Sequence, residues 1–367
     1  MKISRRTVLK SALAVPAVAG AAYLNPWMMG NAYAAYSSDQ VKAALAKHKG
    51  GSFTVSSWGG SFQEAQRKAF FAPFSEEFGI EIVEDGPPGN AKIVAMVKAD
   101  NVTWDVCDIG AYKPTPLGKD GYLEELDYSV IDQADIFPGF ATKWGIGNLS
   151  YSTVLAFRTD VLKDDQPDHV KDLWDLKRFP GKRAMRDNPI ENLAYALQAD
   201  GVHIKDVYPL NDEKVARAYK KLDEIKNHVI WWTQGATAPQ LLVTKEVVMA
   251  CAWNGRLDKI IAEGVPVGFA WNGAQLMGDA WVVPKGAPNK DLAMLFIAWA
   301  SLPEINWRLS DYITYGPVNY KAIENVRPER RDKVPTTFAH LQITCDYDYW
   351  GDNYNDQVDI WNEWKLG

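Results

Sequence analysis

Apolar and polar positions follow two periods along this chain, and the switches between them mark out its elements. Residues 37–49 read as a short polar helix that Gly50-Gly51 stops. The β-branched and aromatic run from Ser52 to Trp58 predicts a strand, and Gly59-Gly60 turns the chain into a helix from about Ser61 to Phe78. Ile80, Ile82 and Val83 predict a second strand, and Ile93, Val94 and Val97 stand at helical spacing. Trp104 to Ile109 is a third strand, ending in Gly110-Ala111-Tyr112. Alternation of this kind predicts a mostly parallel sheet covered on both faces. Ligands on such sheets bind beyond the carboxyl ends of strands, where Trp58 and Tyr112 both stand.

A second α/β unit follows Asn148. Val215, Ala218, Leu222 and Ile225 mark an amphipathic helix, with strands at Val229-Ile230-Trp231-Trp232, at Val247 to Trp253 and at Val265 to Trp271. Ala280 to Pro284 reads as a further strand, Asp291 to Leu302 as a strongly apolar helix, and Gln357 to Trp364 as a closing one. No repeat or low-complexity linker interrupts the chain. Two lobes joined by strand crossings around a cleft are the simplest architecture, and pockets favour such clefts.

The first residues carry an address. Ser4-Arg5-Arg6-Thr7-Val8-Leu9-Lys10 is a twin-arginine block, the apolar stretch Ala12 to Ala22 follows, and Ala32-Tyr33-Ala34 is a small-residue cleavage triplet. The apolar run is shorter than the roughly 20 residues a bilayer span needs, and Asn25-Pro26 breaks it. A signal peptide over 1–34, cleaved near Ala34 after export of a folded chain to the periplasm, is therefore expected. Losing 34 of 367 residues leaves 333, enough for two lobes. The signal holds four basic residues and no acid, so its loss takes the net charge from −6 to −10. An acidic surface argues against nucleic acid and anionic lipid as partners. Cys107, Cys251 and Cys345 are odd in number and too widely spaced for a zinc pattern; buried free thiols are expected.

Catalytic signatures are missing. The chain lacks GxSxG, GxxxxGK[ST], HExxH and a strand-borne GxGxxG, so no cofactor or metal is expected, and the weight moves from enzyme to binding protein. The five histidines are scattered and read as solvent-facing or capping groups. Glu124-Glu125 reads as a solvated acidic face.

From Gly51 onward the chain resembles the periplasmic substrate-binding proteins of ABC importers, in the spermidine/putrescine-binding-like family. The matching segments include Trp58-Gly59-Gly60-Ser61-Phe62, Trp104-Asp105-Val106, Trp174-Asp175-Leu176 through Arg183, Trp231 to Ala236, Ala252 to Arg256, Trp281 to Lys290 and Tyr315 to Asn319. The resemblance implies a bilobal periplasmic-binding-protein fold of type II, with two α/β lobes joined by crossover strands. On that scheme lobe 1 takes residues 35–150 and 278–322, and lobe 2 takes 151–277 and 323–367. It implies membrane permease subunits as partners, the twin-arginine block adds the export machinery, and a monomer is expected.

In the family, aromatic rings sandwich an aliphatic amine and carboxylates hold its ammonium groups. Carried over, Trp58 and Tyr112 resemble one wall, Trp253 the facing platform, Asp279 the ammonium-binding acid and Tyr315 a further wall. Asp187 falls near a second acidic position, and Thr233 is a possible polar contact. Arg256 departs from the polyamine pattern, where a small residue is common. Facing the cleft, it would oppose a dication and suit a zwitterion, as in the 4-aminobutyrate-binding branch. Facing outward, it would be a surface or capping arginine. The expected ligand is a small amine, leaning to an ω-amino acid such as 4-aminobutyrate, with polyamines as the alternative. A chemoreceptor accessory or an enzyme on the same fold stands lower.

Overall fold

Among the described residues, 35–367 of the computed structural model, ten strands build one mixed sheet. They are β1 (Ser52–Ser56), β2 (Glu81–Asp85), β3 (Val106–Gly110), β4 (Ala141–Thr142), β5 (Gly145–Arg158), β6 (Arg183–Arg186), β7 (Val229–Trp232), β8 (Met249–Trp253), β9 (Val267–Val282) and β10 (Ile343–Thr344). The order is β2-β1-β3-β9-β5-β8-β6-β7, with β4 on β5 and β10 on β9. The expected signal peptide lies outside the described residues.

The sheet is parallel toward its two ends and antiparallel in the middle, which corrects the mostly parallel reading. β1 pairs in parallel with β2 and β3, and β6 with β7 and β8. Between those groups run two long antiparallel strands, β5 of 14 residues and β9 of 16. Near one end β9 pairs Asp279–Val282 with β3, while the far end of β5, Thr153–Phe157, pairs with β8. These two strands therefore splice the two parallel groups into one sheet. Every position of β5 is buried, so alternation gives no outward face to read.

β9 also unites the segments read as two strands, 265–271 and 280–284. Its register to β5 slips between Gln275 and Ala270, around Gly273, which sits at φ +75°. A glycine within a strand marks such a bulge or a close approach. Gly278 is a close approach: a Cβ there would lie 2.3 Å from both Leu149 O and Phe140 Cε1.

Helices cover the sheet. Asn211 caps Asp212–Asp223, accepting from Lys214 N–H at 2.9 Å, and the helix buries Val215, Ala218 and Leu222. The closing helix, Tyr347–Leu366, starts ten residues before its expected beginning and is capped by Asp346. His169 and His203 cap short 3-10 turns, in line with their expected role. Glu124 departs from the solvated reading: it is buried and grips Lys290 and Lys285 at 2.9 and 3.2 Å. All three cysteines are free and buried.

Candidate functional site

Five strands send their carboxyl ends to one place. After β1, Trp58 precedes Gly59 and Gly60, at φ +71° and +60°, a backbone that side chains with a Cβ rarely adopt. β3 delivers Gly110 and, just beyond it, Tyr112. β6 ends on Arg186, β7 runs into Thr233-Gln234-Gly235, and β8 ends on Trp253 with Arg256 in the first turn of helix Asn254–Ala262. Asp279 from β9 and Tyr151 from β5 form the floor, and Tyr315 and Phe62 complete the wall. The cavity they line measures about 320 Å³.

Seven of the eight residues singled out in the sequence line this cavity: Trp58, Tyr112, Thr233, Trp253, Arg256, Asp279 and Tyr315. Arg256 thus faces the cleft. Asp187 is not among the lining residues; it accepts from Trp361 Nε1 at 2.8 Å and pairs with Lys365 at 2.5 Å, tying down the closing helix. Sequence reasoning passed over Arg186, Tyr151 and Phe62.

Trp58 is 42% exposed, so packing does not explain its bulk. Trp253 is held edge-on by Trp232 and Tyr151, at 5.4 and 5.9 Å between ring centres. Gly235 admits that ring, since a Cβ there would lie 2.3 Å from Trp253 Cζ3. Two donors beside the cavity are buried without a partner, Trp253 Nε1 and Arg256 Nε. Unmet buried donors cost roughly 1–3 kcal/mol each, a cost that an acceptor brought within reach would offset.

The acid side is arranged differently. Asp279 pairs across the ladder with Gly110, and Asp108 lies two residues away on the same face. Asp108 is fully buried; Gln66 Nε2 donates to its Oδ2 at 2.6 Å, while its Oδ1 has no partner. Burial, and then the neighbouring Asp279, push the Asp108 carboxyl far above the usual range. Burial also raises Asp279, opposed by the Arg186 charge and a bond from the Trp58 indole. Burial and like charge thus favour the neutral form at Asp108, while Asp279 is the carboxyl of the two that lines the cavity.

A second cavity, about 430 Å³ and more open, is lined by His169, His203, His340 and Lys171. The Nδ1 atoms of His169 and His203 are taken up in capping, and the groove lies away from the convergent strand ends. The chemistry concentrates in the smaller cavity.

Residues 69–336 match the family model of the bacterial extracellular solute-binding proteins. The chain belongs to that family. It is 35% identical over 328 residues to the gamma-aminobutyric acid-binding protein of Pseudomonas aeruginosa, spanning 88% of this chain and 93% of that one. A solved GABA receptor superposes with a TM-score of 0.79 at 36% identity, covering 86% of this chain and 97% of the other. The spermidine/putrescine-binding periplasmic protein of Escherichia coli K12 is more distant, 22% identical over 70% of this chain and 75% of its own. The solute-binding protein therefore has the bilobal fold of its relatives and serves as the substrate-binding component of an ABC transporter.

Proposed function

We propose that this solute-binding protein captures a small ω-amino acid of the 4-aminobutyrate kind and delivers it to its permease. The observation that carries the reading is one cavity lined both by an acid, Asp279, and by two residues that each hold an unmet buried donor, Arg256 and Trp253. A zwitterion satisfies both. Its carboxylate accepts from the guanidinium and the indole, its ammonium pairs with Asp279, and its methylenes lie against Trp58, Tyr112 and Tyr315. The relatives named for GABA are more similar to this chain than the spermidine/putrescine-binding one, which agrees with this charge pattern.

Ligand contacts from both lobes would favour the closed form, with β5 and β9 as the connection between them. Export through the twin-arginine block and cleavage near Ala34 complete the proposal. The test is calorimetric titration of ligand-stripped protein with 4-aminobutyrate and with putrescine. Heat from the amino acid and none from the diamine is the expected result, and the reverse would return the site to polyamines.

A further inference from the structure

A buried ion pair borders the cavity without belonging to either end of the amino-acid clamp. Arg186 Nη1 donates to Glu191 Oε1 at 2.8 Å, and the guanidinium lies 5.3 Å from the centre of the Trp253 ring. Glu191 stands in the first turn of helix Pro189–Ala199, wholly buried, and accepts a second bond from Thr153 Oγ1 at 3.2 Å. Its Oε2 has no partner. A carboxylate so enclosed persists in its charged form because a guanidinium balances it. Burial alone would lower Arg186, but Glu191 together with Tyr112 and Tyr151 outweighs that and holds the guanidinium above its ordinary value.

We infer that Arg186 sets the charge class of the ligand, rejecting diamines by masking Glu191 and turning a fixed positive charge toward the cavity. The inference rests on the amino-acid reading above. A linear diamine that places one ammonium on Asp279 must send the other toward Arg186 or Arg256, cation against cation in a poorly screened cleft. Remove the Arg186 charge and the picture inverts. Glu191, wholly buried and reaching the cavity only through Arg186, becomes an uncompensated carboxylate, and the space a shorter side chain vacates would open its unpartnered oxygen to an ammonium. Selectivity thus hangs on one side chain as much as on the clamp itself.

The experiment compares the mature wild type with Arg186→Met, Arg186→Gln and the double variant Arg186→Met/Glu191→Gln. Each is titrated with putrescine and 4-aminobutyrate and melted with and without saturating putrescine. Arg186→Met should gain at least tenfold in putrescine affinity, and its lowered Tm should recover when putrescine is added. The double variant should melt higher than Arg186→Met without ligand and lose the putrescine gain. Arg186→Gln keeps an amide to bond Glu191 and preserves the fold should Met fail; it should gain putrescine affinity in the same direction. A folded Arg186 variant with no putrescine gain overturns the inference, even where wild type binds 4-aminobutyrate. A wild type that ignores 4-aminobutyrate overturns the amino-acid reading instead.

Discussion

Replacing Asp279 by Asn separates what this carboxyl does for the ligand from what it does for the fold. Asn keeps the shape and one acceptor but removes the charge that meets the ammonium. The lost charge-assisted hydrogen bond is worth roughly 1.5–3 kcal/mol, which is about 10- to 150-fold in Kd. Stability should move the other way. Burial pushes Asp279 up to about 7, so holding it ionised in the ligand-free protein costs on the order of 2–4 kcal/mol, allowing for the solvent the cavity admits. Asn carries no such cost, and the ligand-free variant should melt at or above the wild-type temperature at pH 8. Calorimetric titration and thermal melting of the two proteins read both quantities. Unchanged affinity would refute the assignment of Asp279 to the ligand. Weaker binding together with a markedly lower Tm would make it a structural residue.

Other expectations follow from the same geometry. Arg256→Gln should weaken 4-aminobutyrate by roughly 10- to 100-fold, since a fork on a carboxylate is lost, while leaving the melting temperature within a few degrees. Binding should also be linked to protons. A raised Asp279 favours the ligand-free fold while protonated, a contribution complete below about 3.8 and lost as pH rises through about 7. An ammonium ligand needs the ionised form, so affinity should rise about tenfold per pH unit up to about 7 and then level off. Calorimetry in buffers of different ionisation heat should register a released proton near neutrality. Gly235→Ala sets a Cβ 2.3 Å from the Trp253 ring, and the displaced platform should lower affinity and shift tryptophan fluorescence without unfolding the chain.

The strand-rich runs were legible because β-branched and aromatic residues concentrate there: β7 matches its reading residue for residue, and β1 and β2 lie within a residue or two of theirs. Most of the site was legible because Trp58, Tyr112 and Trp253 stand at or just beyond strand ends and the family resemblance carried Asp279 and Tyr315 over. Packing alone would not have told them apart, since Trp58 is exposed while Tyr112 is buried and Trp253 packs on Trp232 and Tyr151. Three things were not. The continuity of β9 was hidden by Gly273 and Gly278, which look like turn signals but answer to a bulge and to the nearness of Leu149. Tyr151 sits in a strand buried at every position, where nothing in the pattern marks the residue that faces a cavity. Arg186 ends a four-residue strand with arginine at both ends, which reads as surface. Its partner Glu191, in a helix that follows, is the signal that would have drawn attention to it. Arg186 and Asp187 are neighbours with opposite assignments: the first borders the cavity, and the second anchors the closing helix.

The most direct test of the account is a crystal structure of the mature protein grown with 4-aminobutyrate. The account predicts one molecule in the cavity between Trp58 and Trp253, its ammonium within hydrogen-bond distance of Asp279 and its carboxylate on Arg256. A ligand bound with its ends reversed, or held elsewhere with this cavity unchanged, would contradict it.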